Sequence, residues 1–286
     1  MDSIDTKYSL EEITQYNSKI ESEIAEMNMA LTKSYSKKAV ALQTKLKKCE
    51  NEDATLLEKE AYELSDEIRK ESLKQEIEIA SKYGYILIDD SQANADTRSV
   101  ASDLEWASEV VMYHPNSNSY RYTVDWDLHA TDSLYDTYDI AGVGITNPDN
   151  FDFAGTYGKT FSIYGESCYV DSNGNSSGSQ PDTMSKRSED RNGVAFNIND
   201  KSHMYDGFLM CSSGRITVYV KKTPSSSGTQ RNKFIASYNH NYKVRNWNPT
   251  AIISFVGFSV DATLQVTYTT ENKVWQRASG GRSIVA

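Results

Sequence analysis

The sequence predicts an α+β chain with its two kinds of structure segregated: an N-terminal helical hairpin or coiled-coil stalk, then an antiparallel, jelly-roll-like β-sandwich. Three observations carry this. Neither glycine nor proline occurs in the first 83 residues, Gly84 and Pro115 being the first of each, so the commonest helix terminators are missing there. Within that stretch apolar residues recur at spacings of three and four. Farther along, apolar and polar residues alternate between turns rich in Ser, Asn and Gly, the pattern of half-buried strands. The expected units are 1–84 (helical), 85–104 (linker) and 105–286 (sandwich).

The first helix begins at Ser9, which forms a capping box with Glu12 three residues on. Leu10, Asn17, Ile24 and Leu31 then share one heptad position, and Ile13, Ile20 and Met27 share the other. A second apolar series, Leu57, Ala61, Leu64 and Ile68, follows the polar stretch 47–53 and continues out of phase with Leu73, Ile77 and Ala80. Asp53 caps that helix and Gly84 closes it. A turn near Asn51 makes an antiparallel hairpin. An oligomeric stalk is the alternative, and Asn17 in the seam suits it, because a buried Asn pairs with another Asn across an interface. The short run of good heptads favours the hairpin.

In the second half, Tyr120, Tyr122, Val124, Trp126 and Leu128 alternate with Arg121, Thr123, Asp125, Asp127 and His129, which predicts one buried and one wet face. Further strands are expected over 161–170, 194–199, 216–221, 234–244, 251–260, 264–270 and 274–277. The segment 216–244 also has the period of an amphipathic hairpin with a polar tip, the pattern β-pore-forming toxins use to enter bilayers.

A net charge of -10 and a pI near 5.0 argue against nucleic acid or anionic lipid held by bulk electrostatics. Lys37, Lys38, Lys45, Lys47 and Lys48 are a local exception, read as a solvated helix face. No apolar run is long enough for a transmembrane helix, and the polar start is not a signal peptide. The expectation is an exported chain whose signal was removed, or one delivered by another route, as a phage component would be. Cys168 and Cys211 are the candidate disulfide, leaving Cys49 free.

Chemistry-bearing patterns are sparse. Asp125 and Asp127, with His129 next in line, could bind Ca²⁺ or act as acid and base; the solvated face of a sheet is the simpler account. Asp171, Asn173, Asn175 and Asp182 approach the spacing of a calcium loop, which makes Ca²⁺ the one cofactor the sequence raises. Ser176 stands where that loop needs glycine, however, and Asp182 replaces its bidentate Glu. The histidines lack metal-ligand spacing, and no nucleophile or nucleotide motif occurs. With nineteen Tyr and four Trp in the chain, aromatic contacts are the better candidates for binding: Trp247, Tyr242, Arg245, Tyr113 and Tyr120. The expected function is non-enzymatic recognition of a protein, glycan or membrane target by a secreted or surface-acting protein, with homo-oligomerisation through the helices as one arrangement and no nucleic-acid partner. A secreted pore-forming toxin inserting 216–244 and a phage or fibre receptor-binding subunit are the alternatives.

Overall fold

Ser9 and Glu12 start the first helix as a reciprocal cap: the Ser9 N–H donates to Glu12 Oε2 (2.7 Å) and the Glu12 N–H to Ser9 Oγ (3.2 Å). Helix α1 (Leu10–Leu46) and helix α2 (Ala54–Lys82) run antiparallel as a hairpin. Asn28 of α1 meets Ser72 and Glu76 of α2, while Tyr35 meets Glu67 and Tyr16 meets the Tyr83 carbonyl. Past α2 the chain reverses at Gly84, whose φ of +88° is the left-handed conformation that favours glycine.

The computed structural model describes residues 8–46, 48, 54–88, 104–128, 139–161, 169–177, 184–198, 202–203, 208–209, 213–223, 231–242, 251–256, 263–268 and 273–285. Its strands begin with β1 (Ile86–Leu87), β2 (Leu104–His114), β3 (Ser119–Leu128), β4 (Asp139–Ile145), β5 (Phe151–Phe161) and β6 (Tyr169–Val170). They continue with β7 (Ser176–Ser177), β8 (Met184–Asp190), β9 (Gly193–Ile198), β10 (Ser202–His203), β11 (Phe208–Leu209) and β12 (Ser213–Lys222). The last are β13 (Arg231–Tyr242), β14 (Ala251–Val256), β15 (Thr263–Tyr268), β16 (Lys273–Ala278) and β17 (Arg282–Val285). A front sheet of seven strands runs β1-β2-β3-β12-β5-β6-β7, and a back sheet of six runs β16-β13-β4-β9-β8 with β17 also on β13. Among the described residues every pairing is antiparallel.

The two sheets close on one apolar core. From the front come Tyr122, Val124, Trp126, Ile216 and Val218; from the back come Val143, Phe196, Phe234 and Tyr238. Tyr122 stacks on Phe234 at 4.7 Å between ring centroids, and Trp126 meets Tyr238 at 5.8 Å. The helical hairpin covers the other face of the front sheet. Ile13, Ile20, Ile24 and Ile79 pack with Met112, Ala154, Tyr157 and Tyr219, and Leu31, Leu42 and Ile68 pack with Phe161. The chain is therefore α+β by segregation, with the helices as a third layer on a sandwich.

That layer corrects three expectations. The polar face of β3 is not wet: Arg121, Thr123, Asp125 and Asp127 are buried beneath the helices. Asn17 is not a seam residue awaiting another subunit; its amide donates to the Ala154 carbonyl (2.9 Å), and its oxygen accepts from the Tyr85 hydroxyl (2.8 Å). Nor is 216–244 a hairpin. Strand β12 lies between β3 and β5 in the front sheet, whereas β13 pairs with β4, β16 and β17 in the back sheet. Alternation gave those two strands the look of partners, but each is buried between neighbours of its own sheet.

Several strands escaped the sequence pattern. Strands β4 and β5 are buried along almost their whole length, so neither alternates in the way a half-wet strand does. The expected strand 161–170 coincides with strand structure only at Phe161 and at Tyr169–Val170 among the described residues.

Candidate functional site

The register of the front sheet builds a row of charge. Arg215 on β12 lies opposite Asp125 on β3 and opposite Lys159 on β5, and one step along Ser213 lies between Asp127 and Phe161. Side chains two apart on a strand share a face, so Asp125 and Asp127 point with Arg215 toward the helices. Spacings of three and four on α2 bring Arg69, Ser72 and Glu76 onto one stripe above them, and α1 adds Glu21 and Asn28.

Four buried carboxylates, Glu21, Glu76, Asp125 and Asp127, thus meet four buried cations, Arg69, Arg121, Lys159 and Arg215. Arg215 is the hub. Its Nε and Nη2 donate to the two Asp125 oxygens at 2.5 and 2.7 Å, its Nη1 donates to Glu76 (2.6 Å) and Ser72 (2.9 Å), and Nη2 also reaches the Arg69 carbonyl (3.1 Å). Such a forked, charge-assisted pair fixes orientation as well as supplying energy. Arg69 Nη1 donates to Asp125 (3.1 Å), and its Nη2 contacts Asp66 and lies 3.3 Å from Asp127. Arg121 donates from Nη2 to Glu76 (2.9 Å) and Glu21 (3.4 Å) and from Nε to the Tyr219 hydroxyl (3.0 Å), which donates in turn to Glu21 (2.7 Å).

Charge state follows from this geometry. Burial opposes ionisation of Glu76, but Arg215 and then Arg121 and Lys159 overcome it and hold the carboxyl at about 2. Asp127 is pushed up to about 7, chiefly by burial, with Arg69 only partly compensating and Asp125 adding repulsion. Burial also raises Glu21, against the pull of Arg121. Lys159 is drawn down to about 7 by burial, with Glu76 opposing the shift and Arg215 adding to it. The cavity among Glu21, Asn28, Glu76, Tyr157, Lys159 and Arg215 measures about 10 Å³, room for about one water molecule.

The structure separates the candidates named from sequence. Asp125 and Asp127 are joined to arginines, and His129 lies outside the described residues. Tyr120 is buried in the sandwich core, and Tyr113 packs on it at 4.9 Å. Tyr242 ends β13; Trp247 and Arg245 lie outside the described residues, as do Cys49, Cys168, Cys211 and Asp182. Asp171 staples its own turn, accepting from the Asn173 and Asn175 N–H groups (each 2.9 Å) and the Asn175 amide (3.1 Å) around Gly174 at φ +83°. Those loop donors occupy both its oxygens. Among the described residues no three His, Cys, Asp or Glu side chains converge as a metal site. His240 is buried with Nδ1 2.8 Å from Asp139, which also accepts from the Tyr238 hydroxyl (2.6 Å). Sequence reasoning passed over Arg69, Arg121, Lys159, Arg215, Glu21 and Glu76. The available signal was that Glu21 and Asn28 stand one heptad apart beside the Ile20 and Ile24 seam.

No protein-family model matches the chain, and no curated protein matches it. Among solved structures, a chain described as "Pore forming protein" is similar at 10% identity and TM-score 0.29, over 62% of this chain and 89% of that one. A chain from "pH-induced modulation of Streptococcus parasanguinis adhesion by Fap1 fimbriae" is similar at 9% identity and TM-score 0.30, over 70% of this chain and 87% of that one. A third, from "AvmM Catalyzes Macrocyclization in Alchivemycin A Biosynthesis", has 9% identity and TM-score 0.19, over 42% of this chain and 64% of that one. Among the described residues, no helix is long and apolar enough to cross a membrane.

Proposed function

We propose that this protein is a non-enzymatic, surface-acting recognition protein whose helical hairpin is a fixed outer layer of the β-sandwich, and that it engages its target through exposed surface. The observation that carries this reading is the cluster around Arg215. Each of its four carboxylates is paired with an arginine around a space of about 10 Å³, so it serves as a fastening between helices and sheet and leaves no room for a substrate. Replacing buried ion pairs by apolar groups often costs no stability, which fits a part here in setting how the layers meet.

The test is to measure binding of the purified protein to immobilised glycans, extracellular proteins and lipid vesicles, with hydrolysis of ester, peptide and glycosidic substrates followed alongside. Saturable binding without turnover is the expected result. Turnover that disappears in a folded Asp127→Asn variant would make the cluster a reaction centre and overturn the reading.

A further inference from the structure

The outer face of the distal half of α1 has a composition unlike the rest of this acidic chain. Between Glu26 and Glu50 there is no Asp or Glu, while Lys33, Lys37, Lys38, Lys45, Lys47 and Lys48 all fall there. Lys33, Lys37 and Thr44, at spacings of four and seven, stand on one side of the helix, and all three are exposed; Lys48, in the turn just past the helix end, is exposed too. The opposite side, Leu31, Ala39 and Leu42, is buried against α2 and Phe161. Two aliphatic side chains stand along the lysine stripe: Met29 is 66% and Val40 56% exposed.

Among the described residues, the acids of α2 do not neutralise this stripe. Glu67 of α2 pairs with Lys38 at 3.7 Å, and Glu63 pairs with Lys59 of its own helix at 3.8 Å. Among the described residues Lys33, Lys37, Lys45 and Lys48 form no ion pair. From Met29 to Thr44 the stripe is about 22 Å long at the helical rise.

We propose that this stripe of α1 is a docking surface for an anionic lipid bilayer, on which the hairpin lies flat with the lysines at the headgroups and Met29 and Val40 entering between them. The inference rests on the surface-recognition reading and names the partner. Lysines interleaved with aliphatic side chains fit lipid headgroups, whereas binding to single-stranded nucleic acid relies on aromatic and arginine stacking that this stripe does not offer. The net negative charge of the whole chain does not prevent contact, because charges farther away than about 8–10 Å are screened at physiological salt, and the lysines are the groups in contact.

Partitioning of the full chain onto vesicles of phosphatidylcholine, with and without phosphatidylserine, tests this. Binding is expected only with phosphatidylserine, and is lost in high salt. Lys33→Gln with Lys37→Gln weakens it about 30-fold, at the strength each basic residue has near an anionic surface, with the circular dichroism spectrum unchanged. The exposed pair Lys74→Gln with Lys82→Gln on α2 leaves it within about twofold, since those lysines lie off the stripe. Equal losses from both pairs, or undiminished binding by the stripe variant, would overturn the proposal. A protein that ignores vesicles but still binds an immobilised glycan or protein would sink the lipid assignment and leave surface recognition standing. One that binds neither sinks both.

Discussion

Asp127 shows what burial does to a residue that alternation assigns to water. Its folded pKa of about 7 lies above the value of about 3.9 in an unfolded chain, so the folded state holds the proton more tightly. Its contribution to stability is complete below pH ~4 and is lost as pH rises through about 7. Lys159, drawn down to about 7 from about 10.4, acts in the opposite direction: stability grows from about pH 7 toward 10 as the unfolded chain keeps a proton the folded one has released. Glu76, held at about 2, adds stability above pH ~4.3 that is lost on acidification. Urea unfolding followed across pH should therefore show a maximum at pH ~4 and a minimum at about 7. Asp127→Asn should flatten the limb between about pH 4 and 7; an unchanged limb would place that titration elsewhere. Asp125 and Asp127 were legible in sequence as a pair of carboxylates on one strand face. Their partner Arg215 was not, because it is 90 residues away from Asp125 and side-chain alternation carries no information about what covers a face.

Among the elements, the helices were the most legible. The Ser9 and Glu12 cap, the absence of glycine and proline, and the apolar spacing are all local, and local physics decides where a helix starts and which stripe it buries. Strands β3, β12 and β13 were recognisable by alternation, whereas β4 and β5, buried along their lengths, offered no contrast between faces. Strand β12 also shows how closely a neighbouring strand's side chain packs over it. A Cβ on Gly214 would stand 2.2 Å from Trp126 Cζ2, and Trp126 faces Gly214 across the β3–β12 pair. Gly214→Ala must displace a fully buried indole ring. Overpacking of this kind costs about 1–3 kcal/mol, so the midpoint of urea unfolding should fall accordingly and the environment of Trp126 should change in near-ultraviolet circular dichroism. An unaltered midpoint would mean that the ring has room to move.

For the molecule as a whole, the fastening between layers predicts cooperative unfolding. A stalk would melt apart from the domain it carries. Here Glu76 of α2 holds Arg215 and Arg121 of the sheet, and Asn17 of α1 is bonded to β5 and to Tyr85. Helical ellipticity at 222 nm and tryptophan fluorescence should therefore report a single transition. Glu76→Ala, which leaves two buried guanidiniums without that partner, should shift both probes together by about 3–5 kcal/mol. Two separate transitions would return the helices to the role of an independent stalk.

By itself the sequence determined that helices come first and strands second, where the first helix is capped, and which residues of β3 form the sandwich core. All of this follows from propensity and period, which act over a few residues. Only the tertiary structure decided that the helices lie on the front sheet, that 216–244 is divided between two sheets, and that the polar face of β3 is dry. The physical reason is that an ionised side chain is satisfied equally well in sequence terms by water or by an opposite charge, and which of the two it meets depends on contacts between distant segments.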